Sequence, residues 1–301
     1  MISIIISSVN NEHLQQVSKS IKATIGVPYE IIAVENSKGK KGICQVYNQS
    51  AAKAQYELLC FIHEDIIIHT QNWGAKLLSL FEADPQLGLI GVAGSGYKPL
   101  SPSAWGGEGI STSYINIIQS YKFIKKESTH IYQNPNDEKL LSAACIDGVW
   151  LTTTKSIVAE IMFDENTFKG FHCYDIDFSL AVGKKYKVAV TFELLINHFS
   201  EGRYDKKWMT ENLKLYNKWN RSLPYNVANL TPAQIFHVEK YTFRHFIDEL
   251  IKFGFPISTA FKMLWKNSSF LTLDPKLFFK IKYYIIKKYW LVNRSKKTIA
   301  S

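Results

Sequence analysis

The chain opens on a run dominated by β-branched residues, "ISIIISSV" from Ile2 to Val9, without strict polar alternation. A strand of a parallel sheet reads this way when both of its faces are covered. Asn10 and Asn11 then precede a stretch in which Leu14, Val17, Ile21 and Ile25 share one helical face, and Gly26 with Pro28 stops it. A second strand, "YEIIAVENS", a polar "KGKKG" loop, a helix with Val46, Ser50 and Ala54 on one side, and a third strand, "LLCFIHEDIII", follow. This β-α-β-α-β alternation predicts the start of a doubly wound α/β sheet, mostly parallel.

Further along, "NWGAKLLSLFEADP" predicts a helix ended by Asp84 and Pro85, and "LGLIGVAG" another strand. The Gly- and Pro-rich "SGYKPLSPSAWGGEGIS" is a long loop, of the kind that is functional or mobile. Strand character resumes in "LLSAACIDGVWLTTT", a helix starts near Tyr174, and "KVAVTFELLINHFSEGR" is a late strand with His198 near its end. From about Tyr225 the pattern is helical. The expected organisation is an α/β domain over 1–224 and a helical extension over 225–301.

The third strand raises a chemical question, because His63, Glu64 and Asp65 interrupt a buried-type run. A carboxylate inside a core costs several kcal/mol unless it is paired or holds a cation. In open parallel sheets ligands bind beyond the carboxyl ends of the strands, where these residues and Glu35 with Asn36 stand. Strand alternation gives His63 and Asp65 one face and Glu64 the other. No G-x-G-x-x-G or Walker A sequence follows the first strand, so dinucleotide and P-loop readings lose their main support.

Composition narrows the partners. The chain has 301 residues, 46% hydrophobic and 21% charged, with a net charge of +10. After Asp274 there is no acid, while Lys276, Lys280, Lys282, Lys287, Lys288, Arg294, Lys296 and Lys297 follow one another. The surplus charge therefore sits on the tail, and no nucleic-acid-binding module accompanies it. The tail's interleaved Lys and aromatic residues suit either a helix on an anionic membrane or one packing its apolar stripe on the main domain. Cys44, Cys60, Cys145 and Cys173 show no metal-knuckle spacing and suit a reducing compartment. No apolar run reaches the roughly 20 residues of a bilayer span. The expectation is a cytoplasmic protein, peripheral at the inner face of the membrane if the tail binds there.

Four pieces in order resemble the GT-A glycosyltransferases, specifically the family 2-like enzymes that use nucleotide-diphosphate sugars. They are "VENS", "KGICQVYNQSAAKAQYELLCFIHED", "GFHCYDIDFSLAV" and "INHFSEG", which together cover roughly the first 200 residues. The resemblance implies a GT-A (Rossmann-like) fold and a metal-dependent, inverting transfer of a sugar to a hydroxyl of a glycan or lipid-linked acceptor. A UDP-sugar is the favoured donor. It also implies that Asp65 and His198 hold a divalent cation, Mn²⁺ or Mg²⁺, and that Glu35, Asn36, Asn48, His63, Glu64 and Asp65 surround the nucleotide-sugar. Three departures stand out: His63 takes the place of the first acid of D-x-D, Glu35-Asn36 replaces a more usual acidic pair, and Tyr174 stands where an acid often precedes the catalytic aspartate.

Asp175 is the expected general base, ionised at neutral pH, and Asp147, Gly148, Asp177 and Trp105 are expected at the acceptor. Asp175 and Asp177 are two apart and cannot share a helix face, so only one can be the base. A turn at Asp147 and a surface loop at Trp105 are the plainer readings of those residues. Two other classes remain open: a degenerate GT-A domain that binds without catalysis, favoured by "HED", and a sugar-nucleotidyltransferase, which would need a Gly-rich basic loop that "SSVNNEH" does not supply.

Overall fold

The structure is a computed structural model describing residues 1–301 apart from Phe123, Glu201, Arg203, 267, 268, 300 and 301, and apart from the side chains of 295–299. Glu201 of the expected "SEG" turn and the side chains of Lys296 and Lys297 thus lie outside the described residues. The chain forms two compact units, Met1–Gly96 with Ser113–Arg203, and Tyr97–Thr112 with Tyr204–Ser301.

In the first unit the elements run β1 (Ile2–Ser8), α1 (Asn11–Thr24), β2 (Tyr29–Glu35), α2 (Ile43–Lys53), β3 (Leu58–Ile62), β4 (Ile66–Ile68), α3 (Trp73–Ala83), β5 (Leu87–Gly91) and β6 (Ala93–Ser95). Beyond β7 (Tyr97–Lys98), which belongs to the second unit, come β8 (Ser113–Gln119), β9 (Thr129–Gln133), β10 (Leu140–Ser142), β11 (Cys145–Ile146) and β12 (Trp150–Thr154). Next are α4 (Lys155–Glu160), α5 (Tyr174–Val182), β13 (Lys187–Thr191) and β14 (Ile196–His198).

A seven-stranded sheet has the order β10-β13-β5-β12-β3-β1-β2. β1 runs parallel to both β2 and β3, and β13 parallel to β5, while β12 and β10 are antiparallel. Ile2, Ile4, Ile5 and Ile6 are fully buried, each contributing about 1.5–3 kcal/mol over exposure, as suits a strand paired on both sides, with β2 and β3. Asn10 caps α1 by accepting from the Glu12 and His13 backbone N–H groups. Gly26, at φ +70, ends the helical run where a Cβ would meet Asn72 Oδ1 at 2.3 Å.

A second sheet, β11-β6-β8-β14-β4 with β9 beside β8, corrects three sequence expectations. "LLCFIHEDIII" is two strands in two sheets, divided at His63–Asp65. "KVAVTFELLINHF" is likewise divided, since β13 joins the first sheet and β14 the second. "LLSAACIDGVWLTTT" contains three short strands, with β11 alone of them in the second sheet. Buried apolar residues resume on both sides of each break, so the apolar content of the flanking segments does not say that they belong to different sheets.

The second unit holds β7, α6 (Lys206–Trp219), β15 (Tyr225–Asn226), α7 (Pro232–Lys252), α8 (Ile257–Trp265), α9 (Ser269–Leu273) and α10 (Pro275–Ile299). Thr231 and Gln234 form a capping box at the start of α7. The long loop expected after β6 is tied down: buried Glu239 of α7 accepts from Tyr97 Oη, the Leu100 and Ser101 N–H groups and Ser101 Oγ. Among the described residues no helix is long and apolar enough to cross a membrane.

Candidate functional site

The sheet switch explains why three polar residues sit inside an apolar run. The His63 N–H still donates to Val149 O of the first sheet's ladder, at 3.2 Å, whereas the Asp65 carbonyl accepts from Phe199 N at 3.0 Å in the second. Glu64 is the residue between. The antiparallel register of β4 with β14 pairs Ile66 with His198, which brings His198 beside Asp65.

His63, Asp65 and His198 each offer one ligand atom, and the three atoms lie within 4.8 Å of one another. Asp65 Oδ1 is 3.9 Å from His63 Nδ1 and 3.7 Å from His198 Nε2, longer than hydrogen bonds and suited to groups that converge on a shared point. Asp65 Oδ2 is engaged separately, accepting from Ser200 Oγ at 2.6 Å. Burial pushes the Asp65 carboxyl up, but His63, His198 and the Ser200 hydrogen bond together hold it below the usual carboxylate value. One ionised carboxylate with two imidazoles is a mixed O/N set that fits a divalent cation.

Behind His63 lies Tyr174, the first residue of α5. Its buried hydroxyl donates to Gly148 O at 3.1 Å and lies 3.0 Å from His63 Nε2. The hydroxyl has one proton, so with that proton on the Gly148 carbonyl, His63 Nε2 is the donor to Tyr174. A neutral His63 then carries its lone pair on Nδ1, the atom facing Asp65. Gly148 must be glycine here, because a Cβ would stand 2.1 Å from Tyr174 Oη. Its N–H donates to Asp175 Oδ2 at 3.0 Å, so one residue, through the peptide groups on either side of its Cα, contacts both Tyr174 and Asp175.

The Asp175 carboxyl is pushed up from 3.8 to about 7, first by burial and then by the charge of Asp147, against the backbone N–H groups of Ile176 and Gly148. This differs from the expectation of a carboxylate ionised throughout the neutral range: loss of water outweighs the donors at the helix start. Asp147 Oδ1 accepts from Val149 N at 2.8 Å and shapes the turn before β12. Asp177 is buried on another side of α5, where its charge adds to burial in pushing the Cys44 thiol up to about 12.

The other expected site residues lie outside the His63–Asp65–His198 cluster. Glu64 is buried and turned toward the end of β1, accepting from Ser8 Oγ at 2.6 Å and from the Val9 and Asn10 N–H groups. Asn48 is buried in α2 and spends its amide on the Phe163 backbone and on Glu165. Glu35 and Asn36 stand at the exposed carboxyl end of β2. Glu35 accepts from the Ser37 hydroxyl and N–H, which hold its carboxyl below its usual value, and Asn36 brackets Lys41 through both amide atoms. Trp105 lies in the second unit, in the segment after Lys98, whose ammonium donates to Ser103 and to Ala104 O. Sequence reasoning missed Ser200 as a partner of Asp65, and it met Tyr174 only as a departure from a motif.

A family model described as "Glycosyltransferase like family" matches residues 3–222. No curated protein matches the chain. Among solved structures, the chain is similar to residues 1–349 of TarS from S. aureus, with a TM-score of 0.51, 11% identity, and coverage of 99% of this chain and 91% of that one. TarS is also known in complex with UDP-GlcNAc, at a TM-score of 0.49, 10% identity and coverage of 99% and 91%. A structure of GalNAc-T7 with UDP, GalNAc and Mn²⁺ matches at a TM-score of 0.49 and 11% identity, covering 84% of this chain. The chain spans 57% of the length of that GalNAc-T7 chain. The likeness to TarS extends over the GT-A α/β sheet and the C-terminal helices, and the family match takes in the whole His63–Asp65–His198 cluster with Tyr174 and Asp175: the chain belongs to this glycosyltransferase-like family.

Proposed function

We propose that the chain is a metal-dependent, inverting glycosyltransferase that moves a sugar from a nucleoside-diphosphate donor, a UDP-sugar by preference, to a hydroxyl of a glycan or lipid-linked acceptor. The observation that carries the reading is the convergence of His63, Asp65 and His198 at the carboxyl end of β3, linked through Tyr174 and Gly148 to a second carboxylate, Asp175.

Asp65, His198 and His63 would hold the cation, which when bound offsets the charge that grows on a leaving diphosphate. Asp175 takes the proton of the acceptor hydroxyl. The acceptor oxygen bonds to the anomeric carbon as that carbon's bond to the diphosphate oxygen breaks, through an oxocarbenium-like transition state. A single base acting on the face opposite the leaving group gives inversion. Glu35 and Asn36, at the open end of β2, are the proposed contacts to the nucleoside.

The test is calorimetry of UDP binding with and without Mn²⁺. Wild-type chain should bind UDP more tightly with the metal, and Asp65→Ala should lose that dependence. An Asp65→Ala chain whose UDP affinity still rises with Mn²⁺ would sink the assignment. Metal-dependent binding with no release of sugar, from any donor tried, would point instead to a binding module.

A further inference from the structure

The C-terminal helix α10 presents two apolar stripes. Leu277, Phe278, Ile281 and Ile285 are buried and face α7, α8 and α9. The rotation of the helix about its axis is fixed by polar contacts as well: Tyr284 Oη donates to Asp248, Lys288 bridges the same carboxylate at 2.7 Å, and Tyr289 Oη donates to Phe255 O at 3.1 Å. The second stripe is Phe279, Tyr283, Ile286 and Trp290, at steps of four, three and four residues. These side chains are 60%, 66%, 49% and 56% exposed. At about 100° per residue they fall within about 60° of arc, on the side away from the buried stripe.

Single exposed hydrophobic residues are ordinary, but a contiguous row of four is the mark of a surface that meets something. The charges beside it say what. Lys276, Lys280, Lys287 and Arg294 run along one edge of the row and Lys282 along the other, and no acid occurs after Asp274. Lys282 Nζ lies 5.8 Å from the ring centre of Trp265, itself exposed, and the Arg294 guanidinium lies 5.1 Å from that of Trp290. A second copy of this face would bring like charges together. An anionic lipid surface satisfies both features at once, since it takes apolar side chains below its headgroups and cations at its phosphates.

We propose that this outward stripe of α10 docks on an anionic membrane, with Phe279, Tyr283, Ile286 and Trp290 entering the headgroup region and the flanking lysines lying against lipid phosphates. The inference rests on the second unit alone and stands whether or not the transferase reading does. In the test, the full chain is sedimented with vesicles of phosphatidylcholine containing about a third phosphatidylglycerol. Binding is expected, and it should weaken about tenfold or more on phosphatidylcholine alone or in about 0.5 M salt. Replacing all four side chains (Phe279→Ser, Tyr283→Ser, Ile286→Ser, Trp290→Ser) should weaken it by about the same factor while leaving the circular dichroism spectrum and melting unchanged. Should that variant fail to fold, Lys280→Glu with Lys287→Glu tests the same face and should also release the vesicles. The proposal is overturned if wild-type chain ignores the anionic vesicles, or if folded stripe variants bind as wild type does. It is equally overturned if the stripe variant breaks a dimer of a chain that does not bind vesicles.

Discussion

The Tyr174 hydroxyl lies 3.0 Å from Nε2 of His63, joining two of the positions at which the chain departs from the acidic pattern its motifs resemble. His63 stands for the first acid of D-x-D, and Tyr174 for the acid before the proposed base. These two departures are bonded to each other. An imidazole can point a lone pair at a cation only if its other nitrogen holds the proton, and the Tyr174–Gly148 hydrogen bond favours that arrangement.

Tyr174→Phe keeps the ring and removes this constraint. His63 and the Gly148 carbonyl lose a buried partner, at about 1–3 kcal/mol, and His63 becomes free to exchange tautomers. Mn²⁺ affinity, measured by calorimetry, should fall roughly 10- to 100-fold. The ¹⁵N shifts of His63 should move from a single-tautomer to a mixed pattern. Unchanged affinity with a locked His63 would mean that another group orients the ring.

The β-α-β-α-β start was legible because β1 is buried on both faces and Asn10 caps the helix after it, so local chemistry and tertiary role agree. The second sheet was not. Ile62 and Ile66 are both fully buried, and the three polar residues between them read as a ligand site at a strand end, not as the point where the chain changes sheet. The same switch decides the site. Strand alternation put His63 and Asp65 together, and the structure brings them together, though by a ladder that passes from Val149 to Phe199. Ser200 was illegible because its bond to Asp65 spans 135 positions and depends on the β4–β14 register. Asn48 read as a donor contact from its place in a motif, and its amide proves to be committed to Phe163, a partner 115 positions away.

Glu64 supports a prediction about stability. Its buried carboxylate accepts from Ser8 Oγ and from two backbone N–H groups at the start of α1. Glu64→Ala would leave those donors unmet, so denaturant unfolding should show a loss of about 2–4 kcal/mol. The folded fraction should keep its Mn²⁺ affinity. If stability holds while metal or nucleotide binding collapses, Glu64 acts on the donor after all.

Asp175 and Asp177 make opposite predictions, which separates base from scaffold. Because the Asp175 carboxyl rises from 3.8 to about 7, between those values the folded chain keeps a proton that the unfolded chain has released. Stability therefore falls as pH rises through that window and levels off above it. Asp175→Asn cannot ionise, so above neutrality it should melt at a higher temperature than wild type, with the advantage vanishing below about pH 4. Its transfer rate should fall by roughly 10² to 10⁴ with donor affinity unchanged, and the wild-type rate should rise with pH to a plateau, inflecting near pH 7. Asp177→Asn, at a position 2% exposed and charged beside Cys44, should instead lose about 1–3 kcal/mol of stability and keep its turnover. Melting curves and transfer rates of both variants across this pH range decide the matter: if Asp177→Asn loses turnover and Asp175→Asn keeps it, the base is the other aspartate, and the raised carboxyl of Asp175 is only a cost of burying it next to Asp147.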